Sequence, residues 1–153
     1  MTAPATRDPL ALESQICFAL SVASRGVVAA YRPVLEPLGL THPQYLVMLA
    51  LWEDRRPLSI KDLSARLRLD PGTLSPLVKR LEAIGYVTRG RSESDERLLA
   101  IALTEPGAAL RRQAESIPAR MMERLGLDLD DVLVLQRTMA ALIAAADDDP
   151  SDS

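Results

Sequence analysis

The 153-residue chain has one cysteine and one histidine, and only 3% of its residues are aromatic. A lone Cys17 excludes an intrachain disulfide and suits a reducing compartment. One Cys with one His cannot close a four-ligand zinc site. So few aromatics leave an aliphatic core, and the abundance of Leu and Ala points to helices. No apolar run approaches the ~20 residues that cross a bilayer. Arg7 and Asp8 near the start are not followed by the apolar stretch of a secretion signal, so a cytoplasmic location is expected. Gly-rich phosphate loops, oxyanion-hole motifs and paired carboxylates are missing too. No cofactor or metal is expected, and no enzyme. The enzymatic alternative is a thiol peroxidase using Cys17 and His42 as nucleophile and base.

Positive charge is scarce overall, with a net charge of −3, yet it is concentrated. Residues 55–97 hold ten Lys or Arg against six Asp or Glu, and the remainder holds eight against fifteen. A basic head on an acidic body is enough to steer a protein to phosphate.

Residues 70–104 are the centre of that head. Asp70 is a good N-cap, Pro71 suits the first helical position, and Gly85 is a natural stop. Leu74, Leu77, Val78, Leu81 and Ile84 recur at helical spacing and predict one buried face. Thr73, Ser75, Lys79 and Arg80 stay on the open face, where short polar and basic side chains fit a major groove. Pro76 lies inside this helix and removes one of its hydrogen bonds. Tyr86–Arg91 and Arg97–Leu103 read as the two strands of a hairpin. Upstream, Leu58–Leu69 reads as a helix capped by Ser59 and Asp62. Helix, turn, helix and hairpin make a winged helix-turn-helix over about residues 42–104.

Long helices flank this head, over about 10–36 and 105–146. In the first, Leu12, Ile16, Leu20, Ala23, Val27 and Tyr31 form one stripe, ended by Pro37 and Gly39. A second helix opens at Thr41, with Gln44 completing a capping box. Its predicted buried face is Tyr45, Met48, Leu49 and Trp52. Thr104 caps a helix running towards Leu125, with a kink expected at Pro118. Asp128 or Asp130 opens the last helix, which ends near Ala145. The outer helices are apolar over more surface than one small core needs, which points to a homodimer reading a two-fold site. Residues 1–9 and the acidic tail 147–153 are expected to be disordered, leaving a single domain over 10–146.

Cys17 sits inside the first helix. With a start near Leu10 it lies beyond the first turn, so the helix dipole is expected to do little for it. Tyr31 shares its face, but fourteen residues of helix span about 21 Å. A phenol reaching Cys17 must come from an antiparallel second copy. His42 is expected to be a partly exposed residue beside the cap.

The segment SIKDLSARLRLDPGTLSPLVKRLEAIGYVTRGRSESDER, with its D-E-R at Asp95–Arg97, resembles the MarR family of dimeric winged-helix regulators. LESQICF, YRPVLEPLGLTHPQYLVMLALWE and GTLSPLVKRLE are similar to its one-cysteine organic-hydroperoxide sensors of the OhrR type. The resemblance implies a mainly α fold with a small β wing. It implies a repressor that binds an inverted-repeat DNA operator and releases it when an organic hydroperoxide oxidises Cys17. Tyr31 would match a tyrosine reaching the thiol of the other subunit. Arg97, held by Asp95, would match a wing arginine entering the minor groove, with Arg91 nearby. Without a second cysteine, the oxidised thiol would go on to a mixed disulfide with a small thiol, a sulfenamide or over-oxidation. One position departs from the pattern: His42 stands where the sensors have a second thiol-contacting tyrosine. The alternative is a repressor of the same family released by a small phenolic or apolar ligand, with Cys17 merely packing.

Overall fold

The structure is a computed structural model, and it describes residues 8–91 and 99–148. It divides into two compact units, one ending at Ile117 and one starting at Pro118.

The first unit opens on a turn rather than a helix. Leu10 N donates to the Asp8 carboxylate at 3.0 Å, and Gln15 Nε2 donates to the Pro9 and Ala11 carbonyls at 2.8 and 2.9 Å. Asp8 and Pro9 are thereby held, not part of a disordered end. After a 3-10 turn at Leu12–Ser14, Gln15 is extended and stands at the N-cap position of α1, Ile16–Leu35, without a side-chain capping bond. The expected helix from residue 10 therefore starts six residues later, and Leu12 lies outside it. Leu35 continues into a second 3-10 turn that closes at Gly39, left-handed at φ 72°.

Thr41 caps α2, His42–Asp54, with both arms of the capping box formed. Tyr45, Met48 and Trp52 are buried as predicted. Leu49 is 40% exposed, and Leu51 takes the core position instead. Two residues that read as helix, Leu58–Ser59, are strand β1. Ser59 then caps α3, Ile60–Leu67, through a 3.0 Å bond from Asp62 N. Asp70 caps α4, Pro71–Ile84, which runs unbroken through Pro76 and ends on Gly85 at φ 99°. Leu74, Val78 and Leu81 are fully buried. Ile84 falls at the last residue of the helix and is 46% exposed.

Strands β2, Val87–Arg91, and β3, Leu99–Leu103, form the wing. The sheet order is β1-β3-β2, antiparallel throughout, with Leu58 opposite Ile101 and Val87 opposite Leu103. Val87 and Ile101 are buried and anchor the sheet to α3 and α4.

Thr104 caps α5, Glu105–Ala114, receiving the Gly107 N–H at 3.1 Å. Its own hydroxyl donates to the Gly85 carbonyl at 2.6 Å. The helix stops at Ala114, and α6, Ile117–Leu125, begins anew. Pro118 lies in the first turn of α6, where no intrahelical N–H is lost, so the expected kink is a break before the proline. In the second unit Asp128 caps α7, Leu129–Asp147, with a full capping box. Asp147 is its last residue, not part of a disordered tail.

Candidate nucleic-acid interface and thiol site

The recognition face is built from the start of α4. The Asp70 carboxylate accepts the Thr73 N–H and the Thr73 hydroxyl, both at 2.9 Å. These bonds, the backbone one foremost, hold the carboxyl below its ordinary value. The first turn of α4 is open to solvent, with Pro71, Gly72 and Thr73 all exposed. Thr73, Lys79 and Arg80 are exposed, and Ser75 is half-buried. Pro76 lies on the open side between them. The side opposite carries Leu74, Val78 and Leu81 into the core, which fixes the rotation of the helix.

The wing is tied to this helix by an interaction the sequence reading missed. Arg89 on β2 donates through its backbone N, Nε and Nη2 to the Glu82 carboxylate at 3.0–3.2 Å. The guanidinium bond is the main cause holding the Glu82 carboxyl below its usual range. A Glu seven residues before an Arg across a glycine stop was the available signal. Arg91 is exposed at the end of β2. Asp95 and Arg97 lie outside the described residues.

The thiol sits elsewhere on the first unit. Cys17 is exposed and is the second residue of α1, so it lies within the first turn. This corrects the placement beyond that turn. The surrounding helix is apolar and bare. Ile16, Leu20, Val27 and Val28 are all exposed, and only Val34 and Leu35 are buried in α1.

At the far end of α1, the Tyr31 ring packs at a tilt against His42 with ring centroids 5.0 Å apart, and against Tyr45 at 5.8 Å. His42, half-buried beside the Thr41 cap as expected, is also a member of an aromatic cluster. Burial pushes its imidazole below the ordinary value, so it is neutral at pH 7. Burial raises the Tyr31 phenol, and burial with the neighbouring Tyr31 raises Tyr45. Each stays an O–H donor. Tyr45 was expected only as core, and nothing in its spacing marked it otherwise. Cys17 and this cluster occupy the two ends of one helix, about 21 Å apart.

Among the described residues no cluster of His, Cys, Asp or Glu is able to hold a metal ion. No helix among the described residues is long and apolar enough to cross a membrane.

Comparison with known proteins gives this geometry a family. The SarA/Rot family of transcriptional regulators matches residues 29–112. The HTH-type transcriptional regulator TtmR of Methylorubrum extorquens is 44% identical over 135 residues, 88% of this chain and 69% of that one. The organic hydroperoxide resistance transcriptional regulator of Bacillus subtilis is 41% identical over 136 residues, 89% of this chain and 92% of that one. The crystal structure of overoxidized AbfR bound to DNA, a protein also solved from Staphylococcus epidermidis, superposes with a TM-score of 0.70 at 33% identity, covering 88% of this chain and 94% of that one. A winged head with its basic helix turned outward, on a chain this similar to such regulators, identifies the molecule: it belongs to the SarA/Rot transcriptional regulators and is a MarR-like, DNA-binding winged-helix protein.

Proposed function

We propose that this chain is a cytoplasmic homodimeric repressor that releases an inverted-repeat operator when an organic hydroperoxide oxidises Cys17. The observation that carries the reading is α1 itself. It bears an exposed thiol in its first turn and a Tyr31–His42 pair at its other end, along a face of uncovered apolar side chains. An antiparallel copy of α1 covers that face and brings each cluster to the other chain's sulfur. Similarity to a hydroperoxide resistance regulator and to AbfR, crystallised overoxidized, supports the same chemistry.

In the reaction the Cys17 sulfur attacks the terminal oxygen of the hydroperoxide. The O–O bond breaks, the alkoxide leaves and takes a proton to become the alcohol, and the sulfur is left as a sulfenic acid. Tyr31 and neutral His42 donate hydrogen bonds to the charged sulfur and the departing oxygen. A small thiol then condenses with the sulfenic acid, losing water and forming a mixed disulfide. Cys17 is thus a sensor used once per cycle and not a peroxidase nucleophile.

Each α4 enters a major groove, the two about 34 Å apart. Thr73 and Ser75 reach base edges, while Lys79 and Arg80 meet bases or phosphates. Arg91 serves the wing, and the family resemblance gives Asp95 and Arg97 a part in it. Oxidation puts polar bulk under the helix pair and favours another spacing of the heads. Driving occupancy from nearly full to nearly empty takes a preference of about 5.5 kcal/mol.

The test is fluorescence anisotropy on duplex DNA from the promoter of the chain's own gene, titrated with cumene hydroperoxide. The parent protein is expected to let go at about one equivalent per chain, and Cys17→Ser to stay bound. Release by both proteins, or by neither, overturns the thiol reading. Consumption of many equivalents of peroxide per chain makes Cys17 a catalyst instead.

A further inference from the structure

The open face of α4 has a pole, and the residue standing on it is Pro76. Leu74, Val78 and Leu81 are fully buried, whereas Pro76 is exposed. At about 100° per residue, the three buried side chains centre on one side of the helix, and Pro76 lies within about 15° of the point opposite. Lys79 and Arg80 flank it, each about 50° to one side. Ser75 falls at the edge of the face, where it is half-buried. Gly72 and Ala83, exposed along the same line as Pro76, carry no hydrogen-bonding side chain. When α4 lies in a major groove, this pole goes deepest, and the flanking cations reach for the groove's walls.

Proline offers the groove floor no hydrogen bond. Its ring holds no donor or acceptor, and its nitrogen carries no hydrogen. In the major groove guanine presents N7 and O6, cytosine its amino group, and adenine N7 with its amino group. Under an apolar ring those groups lose water and gain no partner. Thymine alone adds a C5 methyl, which the methylenes of the ring cover at a gain.

We infer that Pro76 is a specificity-determining residue, its ring packed on the C5 methyl of a thymine in each half-site of the operator. This rests on the proposed operator binding and is independent of any chemistry at Cys17.

Uracil tests the contact, because it keeps the pairing and the O4 of thymine and loses only the methyl. The methyl lies in the major groove, so minor-groove edges stay as they were. Reduced protein is titrated by fluorescence anisotropy against two duplexes from the promoter of the chain's own gene, one unaltered and one with uracil for every thymine. One methyl per head and two heads per operator are expected to make the unaltered duplex the tighter by about tenfold. Replacing the thymines singly is expected to concentrate that loss at one position in each half-site. Pro76→Ser is expected to bind the two duplexes alike. Serine restores the N–H that the helix lacks at this position, so the variant's melting temperature is expected to be no lower than the parent's. Equal affinity of the parent for both duplexes overturns the contact and leaves the operator standing. An undiminished preference for thymine in Pro76→Ser overturns the role of Pro76. A parent that prefers neither duplex to scrambled DNA removes the operator and the contact with it.

Discussion

His42 brings a pH response to a place where the resembling sensors have a tyrosine. Burial lowers the imidazole's affinity for protons in the folded chain, whereas the unfolded chain keeps the ordinary value near 6.5. Below that value the unfolded state takes up a proton first. The stability that neutral His42 contributes is therefore complete above pH 6.5 and drains away as pH falls towards its depressed folded value. Urea unfolding between pH 7.5 and 5.5 is expected to show this loss, and His42→Phe is expected to flatten it. Lys79 belongs to the same scale. Exposed on α4 and assigned to a phosphate or base, it is expected on replacement by Ala to reduce the salt slope of operator binding by about 1 if phosphate is its partner. An unchanged slope and affinity remove Lys79 from the interface.

Elements were legible where a cap or a stop fixed them. Thr41, Asp70, Gly85, Thr104 and Asp128 all act as the sequence implied, because a side-chain oxygen or a left-handed glycine meets the backbone locally. What stayed hidden depended on distant partners. Leu58–Ser59 continues the helical pattern of α3, yet pairs with Ile101 and Ala100 across some forty residues. The break before α6 and the start of α1 at Ile16 likewise follow from hydrogen bonds that periodicity does not carry, those of Gln15 above all. Of the candidate site, the open face of α4 was readable from its apolar stripe; the Arg89–Glu82 tie and the packing of Tyr31 against Tyr45 were not. Gly107 shows the same dependence on distant contacts. A Cβ there would stand 2.0 Å from the Tyr86 carbonyl oxygen, backbone that cannot swing away. Trp52 Nε1 also donates to the Gly107 carbonyl at 2.9 Å. Gly107→Ala is expected to cost about 1–3 kcal/mol by denaturant unfolding, with α5 forced off the wing root. A loss well under 1 kcal/mol would mean that α5 packs more loosely than described.

At the scale of the whole molecule, two helices are dressed for company. α7 has no buried residue, yet Leu129, Leu133, Val134, Leu135, Leu142 and Ile143 all face solvent. α1 shows the same surplus. Apolar surface of this extent is what the proposed dimer would cover. The chain is expected to sediment at twice its 16.7 kDa mass. Leu133→Glu is expected to yield a folded single chain that binds a half-site weakly and the full operator no better. A dimer that survives substitutions on both helices overturns the pairing. The hydroxyl of Thr104 has a wider consequence. It holds the last carbonyl beyond α4 with one hand and the first turn of α5 with the other. One side chain thereby couples the recognition helix to α5, and Thr104→Val is expected to loosen that coupling.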